Sequence, residues 1–193
     1  MSVEWGAVCR AKRGQSVSGD AYLFQQHGAG CSLAAVIDGL GGGEEAARAA
    51  RIAEALFRER LGDPLQDLMR QSHNALRATR GAVASLLQLD EPGRAVTYVG
   101  VGNVGVHVYS RQPIKPISKN GILGYRLPTL LELRYAYVPG DVFVLYSDGV
   151  SSQFSQDTQI DIRQPPQAVA EQILDRYGKL TDDATVMVVK TFS

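Results

Sequence analysis

Nine short stretches of this chain are apolar throughout or alternate apolar with polar residues, and turn-forming residues separate them. They cover residues 3–10, 22–26, 32–37, 82–89, 95–99, 104–109, 130–137, 142–146 and 184–190, the pattern of β-strands. Three other stretches read as helices. Residues 44–61 carry Ala49, Ile52, Ala53, Leu56 and Phe57 at helical spacing and stop at Gly62. Asp63, Pro64 and Gln66 read as an N-cap, a first-turn proline and a capping-box glutamine, opening a helix to about Leu76. The third runs over residues 166–177 and closes at Gly178. Hairpins interrupted by a helical pair predict an α+β fold, with two mainly antiparallel β-sheets in a sandwich flanked by helices. At 193 residues the chain is long enough to bury about 70% of its unfolded surface. Residues 1–193 are therefore expected to form a single domain.

Charge narrows the function. Twenty basic and twenty acidic residues cancel, which removes the electrostatic footprint of a nucleic-acid or anionic-membrane binder. No apolar run approaches the roughly 18 residues of a membrane span. Cys9 and Cys31 stand in neither a CxxC nor a zinc spacing, and the N-terminus has no charged start followed by an apolar segment. These features predict a cytoplasmic protein with two buried thiols, and they leave its oligomeric state open.

The stretch AAVIDGLGGG, residues 34–43, ends a buried run on a carboxylate and follows it with a near-continuous glycine tract. If residues 22–26 and 32–37 form a hairpin centred near Ala29, Asp20 lies directly opposite Asp38. Like charges at opposed positions are destabilising. At ~5 Å and an effective dielectric of ~20 the repulsion is about 3 kcal/mol. A divalent cation between them would reverse the sign. The device recurs, because VFVLYSDGV ends on Asp148-Gly149, and TDDATVMVV places Asp182 and Asp183 at the start of a strand. Ends and starts of neighbouring antiparallel strands meet at one rim, so acids at 20, 38, 148 and 182 can converge there. Each acid alone also reads as a turn residue. Four together suit a hard cation such as Mg²⁺ or Mn²⁺ better than zinc.

The segments SVSGDAY, AAVIDGLGGGEEAARAA, LYSDGV and TDDATVMVV resemble, in order and position, the metal-binding motifs of the PPM-type metal-dependent serine/threonine protein phosphatases. The similarity is to the bacterial branch that includes SpoIIE and the stress-response phosphatases. RGAVASLLQL, VGVGNVGV and NGILGY extend it, the last with Ile122 where that branch has proline. The length, without an attached sensor, is similar to stand-alone phosphatases that reset the stressosome. The resemblance implies two ions, Mn²⁺ or Mg²⁺, with Asp38 bridging them and the Gly39 carbonyl on one. It implies Asp20 on the first ion, Asp148 and Asp182 on the second, and a catalytic requirement for Asp38 and Asp148. Two such ions activate water for in-line attack on a phosphoserine or phosphothreonine, with no covalent phosphoenzyme. The implied partners are phosphorylated proteins, stressosome subunits among them. Two departures stand out. Leu40 occupies the place of a histidine, and Ser16 that of a phosphate-gripping arginine, with Lys12 and Arg13 nearby. Glu44 and Glu45 are expected to complement the helix dipole, and Asp183, in a strand, to point away from Asp182.

Rival readings are weaker. Gly100, Gly102 and Gly105 fit GxGxxG, but the residues after them alternate as a strand where a dinucleotide fold needs a helix. Asp38-Gly-Leu-Gly is similar to an ATPase box, with Leu40 in place of its first glycine. Neither cysteine sits in a phosphate-cradling loop, as a thiolate phosphatase requires. A catalytically silent binding module with the same fold is the non-enzymatic alternative, and the retained acids speak against it. His27, His73 and His107 share no ligand spacing, and Trp5 reads as core. The irregular stretch 111–129 reads as a solvated loop or as a substrate-docking element, for which Lys115, Lys119 and Arg126 are the candidates.

Overall fold

The computed structural model describes residues 3–192. Among these, nine strands and three α-helices follow in the order β1 (Val3–Arg10), β2 (Asp20–His27), β3 (Cys31–Gly39), α1 (Gly43–Glu59), α2 (Leu65–Ala75), β4 (Ala82–Asp90), β5 (Ala95–Val101), β6 (Gly105–Tyr109), β7 (Leu133–Ala136), β8 (Val142–Tyr146), α3 (Pro166–Tyr177) and β9 (Ala184–Thr191). One antiparallel sheet has the order β1-β9-β8-β6 and the other β2-β3-β4-β5-β7. This is the expected α+β sandwich.

Side-chain alternation along β3 decides the layering. Leu33, Ala35 and Ile37 join Phe57, Leu68 and Met69 in a core under α1 and α2, while Ala34 and Val36 join Leu87, Tyr98, Phe143 and Met187 between the sheets. A third core lies under α3, where Ile173, Val144 and Val186 pack. Strand residues that are apolar on both faces fit a sheet covered on both sides. The buried face of α1 is largely alanine, at 46, 47, 49, 50 and 53. Small side chains let the helix lie close to the sheet. The closest approach is at Gly39, where any Cβ would overlap the Ala46 carbonyl oxygen.

Several local expectations need correction. Pro64 itself occupies the N-cap of α2 and no side chain caps that end: its φ of −55° would suit a helix, but its ψ of 137° is extended, so the helix begins one residue later, at Leu65. Helix α1 spans Gly43–Glu59 rather than 44–61. Trp5 is 43% exposed rather than core. It lies on edge strand β1 and stacks on Phe24 of edge strand β2 with ring centroids 5.0 Å apart. Both thiols are free and only partly buried. Asp183 precedes β9 instead of lying within it.

Phe57 is fully buried beneath α1, so Phe57→Ala should cost about 3–5 kcal/mol and lower the melting temperature by about 10 °C. A thermal melt within a degree of wild type would contradict this packing.

Candidate active site

The inter-sheet core ends in acids at one rim. Asp20 pairs with Asp38, Tyr22 with Val36 and Phe24 with Ala34. Tyr22, Val36, Phe24 and Ala34 all belong to the inter-sheet layer, and a period of two carries that side through to the two acids. On the facing sheet the same parity leads from Phe143 and Leu145 to Ser147, whose hydroxyl donates to Asp20 Oδ2 at 2.7 Å. The acids are thus inward-facing strand residues at the point where the apolar layer stops.

Asp38, Asp148 and Asp182 line one cleft of about 790 Å³, together with Leu40, Val83, Asn103 and Arg126. Asp20 lies deeper, buried behind Asp38, and opens instead toward a smaller cleft beside Ser18 and Arg51. The Asn103 side chain donates to Asp148 Oδ2, and the Lys179 ammonium donates to the Asp148 carbonyl at 2.6 Å. Asp183 is buried and turned away from this cleft. It accepts the Lys12 and Gly19 backbone N–H groups, each at 2.9 Å, and so holds the segment leading into β2. The glycines that follow two of the acids have separate reasons. Gly39 lies under Ala46, and a Cβ on Gly149 would overlap the Asp183 carbonyl oxygen. Of the basic candidates, only Arg126 lines the cleft. Lys119 faces a neighbouring groove with Pro128 and Leu131, and Lys115 is exposed on the same connection, its carbonyl accepting from Tyr135. Lys12 reaches the glycine loop, its Nζ 3.5 Å from the Gly41 carbonyl oxygen.

Electrostatics mark the acids as a strained set. Burial, followed by the charges of Asp20, Asp148, Asp182 and Asp183, pushes the Asp38 carboxyl up to about 9. Burial raises Asp20 to about 6 against the opposing effect of the Ser147 hydrogen bond. Asp148 is also raised, by burial and then by the charge of Asp182. Among the described residues no three His, Cys, Asp or Glu side chains already form a finished ligand cage. Asp38, Asp148 and Asp182 line one cleft, and Asp20 opens to another. Their chemistry nonetheless fits a hard divalent cation, since the donors are oxygens and Asp20 Oδ1 is buried with no hydrogen-bond partner. Asp38, Asp148 and Asp182 are the carboxylates at the cleft that could hold it; Gly39 is buried and not among the lining residues, and Asp20 lies behind.

The sequence alone assigns no role to Asn103 and does not reveal Ser147, Lys179 or the anchoring by Asp183. The parity of the strand ending at Tyr146 was the available signal for Ser147. The other two depend on loop conformations that no periodicity encodes.

A carboxyl with a raised folded-state pKa favours folding below its unfolded pKa near 3.8 and loses that advantage as pH climbs to about 6 for Asp20 and about 9 for Asp38. Metal-free protein should therefore be less stable at pH 8 than these groups would allow at pH 5. In chelator at pH 8, Asp38→Asn should melt several degrees above wild type, the gap narrowing toward pH 4, while Mn²⁺ should stabilise wild type more than the variant. A variant that melts below wild type at pH 8 would contradict this electrostatic picture.

Residues 28–192 match the profile of Stage II sporulation protein E (SpoIIE). The phosphoserine phosphatase RsbX of Bacillus subtilis (strain 168) is 27% identical over 142 residues, which cover 72% of this chain and 71% of that protein. A chain from the structure reported as "The bacterial stressosome: a modular system that has been adapted to control secondary messenger signaling" is 34% identical, covers 98% of this chain and 100% of its own length, and superposes with a TM-score of 0.90. RsbX in complex with magnesium superposes with a TM-score of 0.84 at 22% identity, over 98% of this chain and 95% of that one. With its sandwich, its acidic rim and a profile match that spans most of its length, the chain belongs to the SpoIIE family of PP2C-type phosphatase domains.

Proposed function

We propose that this chain is a Mn²⁺- or Mg²⁺-dependent protein phosphatase acting as one catalytic unit on phosphoserine and phosphothreonine of stress-signalling proteins, stressosome subunits among them. Two ions would be held by Asp20, Asp38, the Gly39 carbonyl, Asp148 and Asp182. The observation that carries this reading is the apposition of Asp20 and Asp38 at the rim that also presents Asp148 and Asp182. The names of its relatives, a phosphoserine phosphatase and a stressosome structure, support the substrate class.

When bound, the ions supply charge neutralisation, a clamp for phosphate oxygens and activation of the attacking water. The chain's own residues do the rest. Asn103 orients the Asp148 carboxylate. Asp183 fixes Gly19, and through it the approach of Asp20 to Asp38. Leu40 and Val83 provide an apolar wall. Leu40 follows Asp38-Gly39 and offers no proton, so protonation of the departing serine or threonine oxygen falls to water.

Purified protein should hydrolyse p-nitrophenyl phosphate with Mn²⁺ and lose that activity in chelator. Asp38→Asn and Asp148→Asn should each lower kcat by a factor on the order of 10³ or more with an unchanged circular dichroism spectrum. Full activity in either folded variant would overturn the mechanism, and an inactive wild type would leave the fold as a binding module. Asn103→Ala should weaken Mn²⁺ binding by about 10- to 100-fold, read by calorimetry. Unaltered affinity would remove its orienting role.

A further inference from the structure

The floor of the active-site cleft is acidic, but its mouth is not. Tyr125 is 83% exposed, the most exposed of the large hydrophobic residues described, and it lines the cleft beside Arg126. A solvated loop would carry such a pair loosely. Here the backbone is pinned from several sides: Ile122 and Arg126 exchange N–H···O bonds, each of 2.8 Å, Leu123 is buried and exchanges two bonds with Ala82, and the Gly124 N–H donates to His73 Nδ1 at 3.1 Å. Gly124 has φ +92, and a Cβ there would meet the Leu76 carbonyl oxygen at 2.7 Å. The result is a rigid tip that holds an aromatic ring and a guanidinium at the cleft. A second guanidinium reaches the same mouth from the connection between α2 and β4, since Arg80 Nη1 lies 2.7 Å from where a Cβ on the cleft residue Gly41 would stand. Among the described residues neither guanidinium has an ion pair or side-chain hydrogen bond. Of the two acids in the first turn of α1, Glu44 is already engaged by Arg51 at 3.1 Å, leaving Glu45 as the other.

Unpartnered guanidiniums beside an exposed ring suit a chain segment that brings its own negative charge. Resting on the phosphatase reading above, we propose that Arg126 and Arg80 select phosphorylated segments with acidic residues flanking the phosphoserine, while Tyr125 supplies a surface for the segment's backbone and apolar atoms. The acidic floor then takes the phosphate through its cations, and the basic rim takes the flanks. The rim discriminates because exchanging acidic for basic flanks turns attraction into repulsion at the same place.

The test uses two phosphoserine peptides of equal length, one with two aspartates on each side of the phosphoserine and one with two lysines. Binding to the Asp38→Asn protein is read by fluorescence anisotropy in Mg²⁺, and turnover by wild type in Mn²⁺. The acid-flanked peptide should bind at least five-fold more tightly and show a correspondingly higher kcat/KM. Arg126→Glu should collapse or invert that ratio, Arg80→Glu should reduce it, and Tyr125→Ala should weaken both peptides without altering it. A ratio near one in the parent proteins, or a ratio that Arg126→Glu leaves intact, would overturn the proposal. Should wild type turn over neither peptide while the binding preference and its loss in Arg126→Glu persist, the rim assignment stands and the phosphatase reading falls. Turnover without preference would do the reverse.

Discussion

Two carboxylates directly opposed across a hairpin, Asp20 and Asp38, are the constraint on which the rest of the site depends. In a metal-free protein their placement is a liability: burial raises both carboxyls, and the charge of Asp20 raises Asp38 further. A fold stable by roughly 5–15 kcal/mol tolerates such a liability only where something else offsets it. Part of the offset is structural. Ser147 donates to Asp20, while Asp183 takes up two backbone N–H groups and so fixes the segment entering β2. The oxygen donors at the rim fit a hard divalent cation, which, bound there, would offset the remainder.

The architecture explains why the acids lie where they do. Between the sheets the layer is apolar from Val36, Leu87 and Phe143 through Met187, and the strands leave it at one rim still facing inward. A residue placed there is partly shielded from water without being sealed from it. That is the environment in which carboxylates keep strong fields toward a bound ion and a substrate still has access. The glycines after Asp38 and Asp148 belong to the same geometry. They let α1 and the segment before β9 close against the rim at distances no side chain would permit.

Much of this was legible in the chain. Short runs, apolar throughout or alternating, located all nine strands, and the shortest hairpin fixed its own register, so the Asp20–Asp38 pairing followed from counting outward from Ala29. Features governed by loop conformation were not legible. The anchoring by Asp183, the Lys179 bond to the Asp148 carbonyl and the closeness of Arg80 to Gly41 all arise between segments distant in sequence. Trp5 shows a related failure. Its alternation with Val3 and Ala7 is genuine, but β1 is an edge strand, and parity alone does not report where a layer runs out of cover. Of the three basic candidates in 111–129, only Arg126, held by the tight turn at Ile122–Arg126, lies at the cleft.

The most direct test of the account is the anomalous scattering of a crystal equilibrated with Mn²⁺. The account predicts manganese peaks among the carboxylates of Asp38, Asp148 and Asp182 and the Gly39 carbonyl, with Asp20 oriented toward them. Peaks elsewhere on the molecule, or none at the acidic rim, would contradict it.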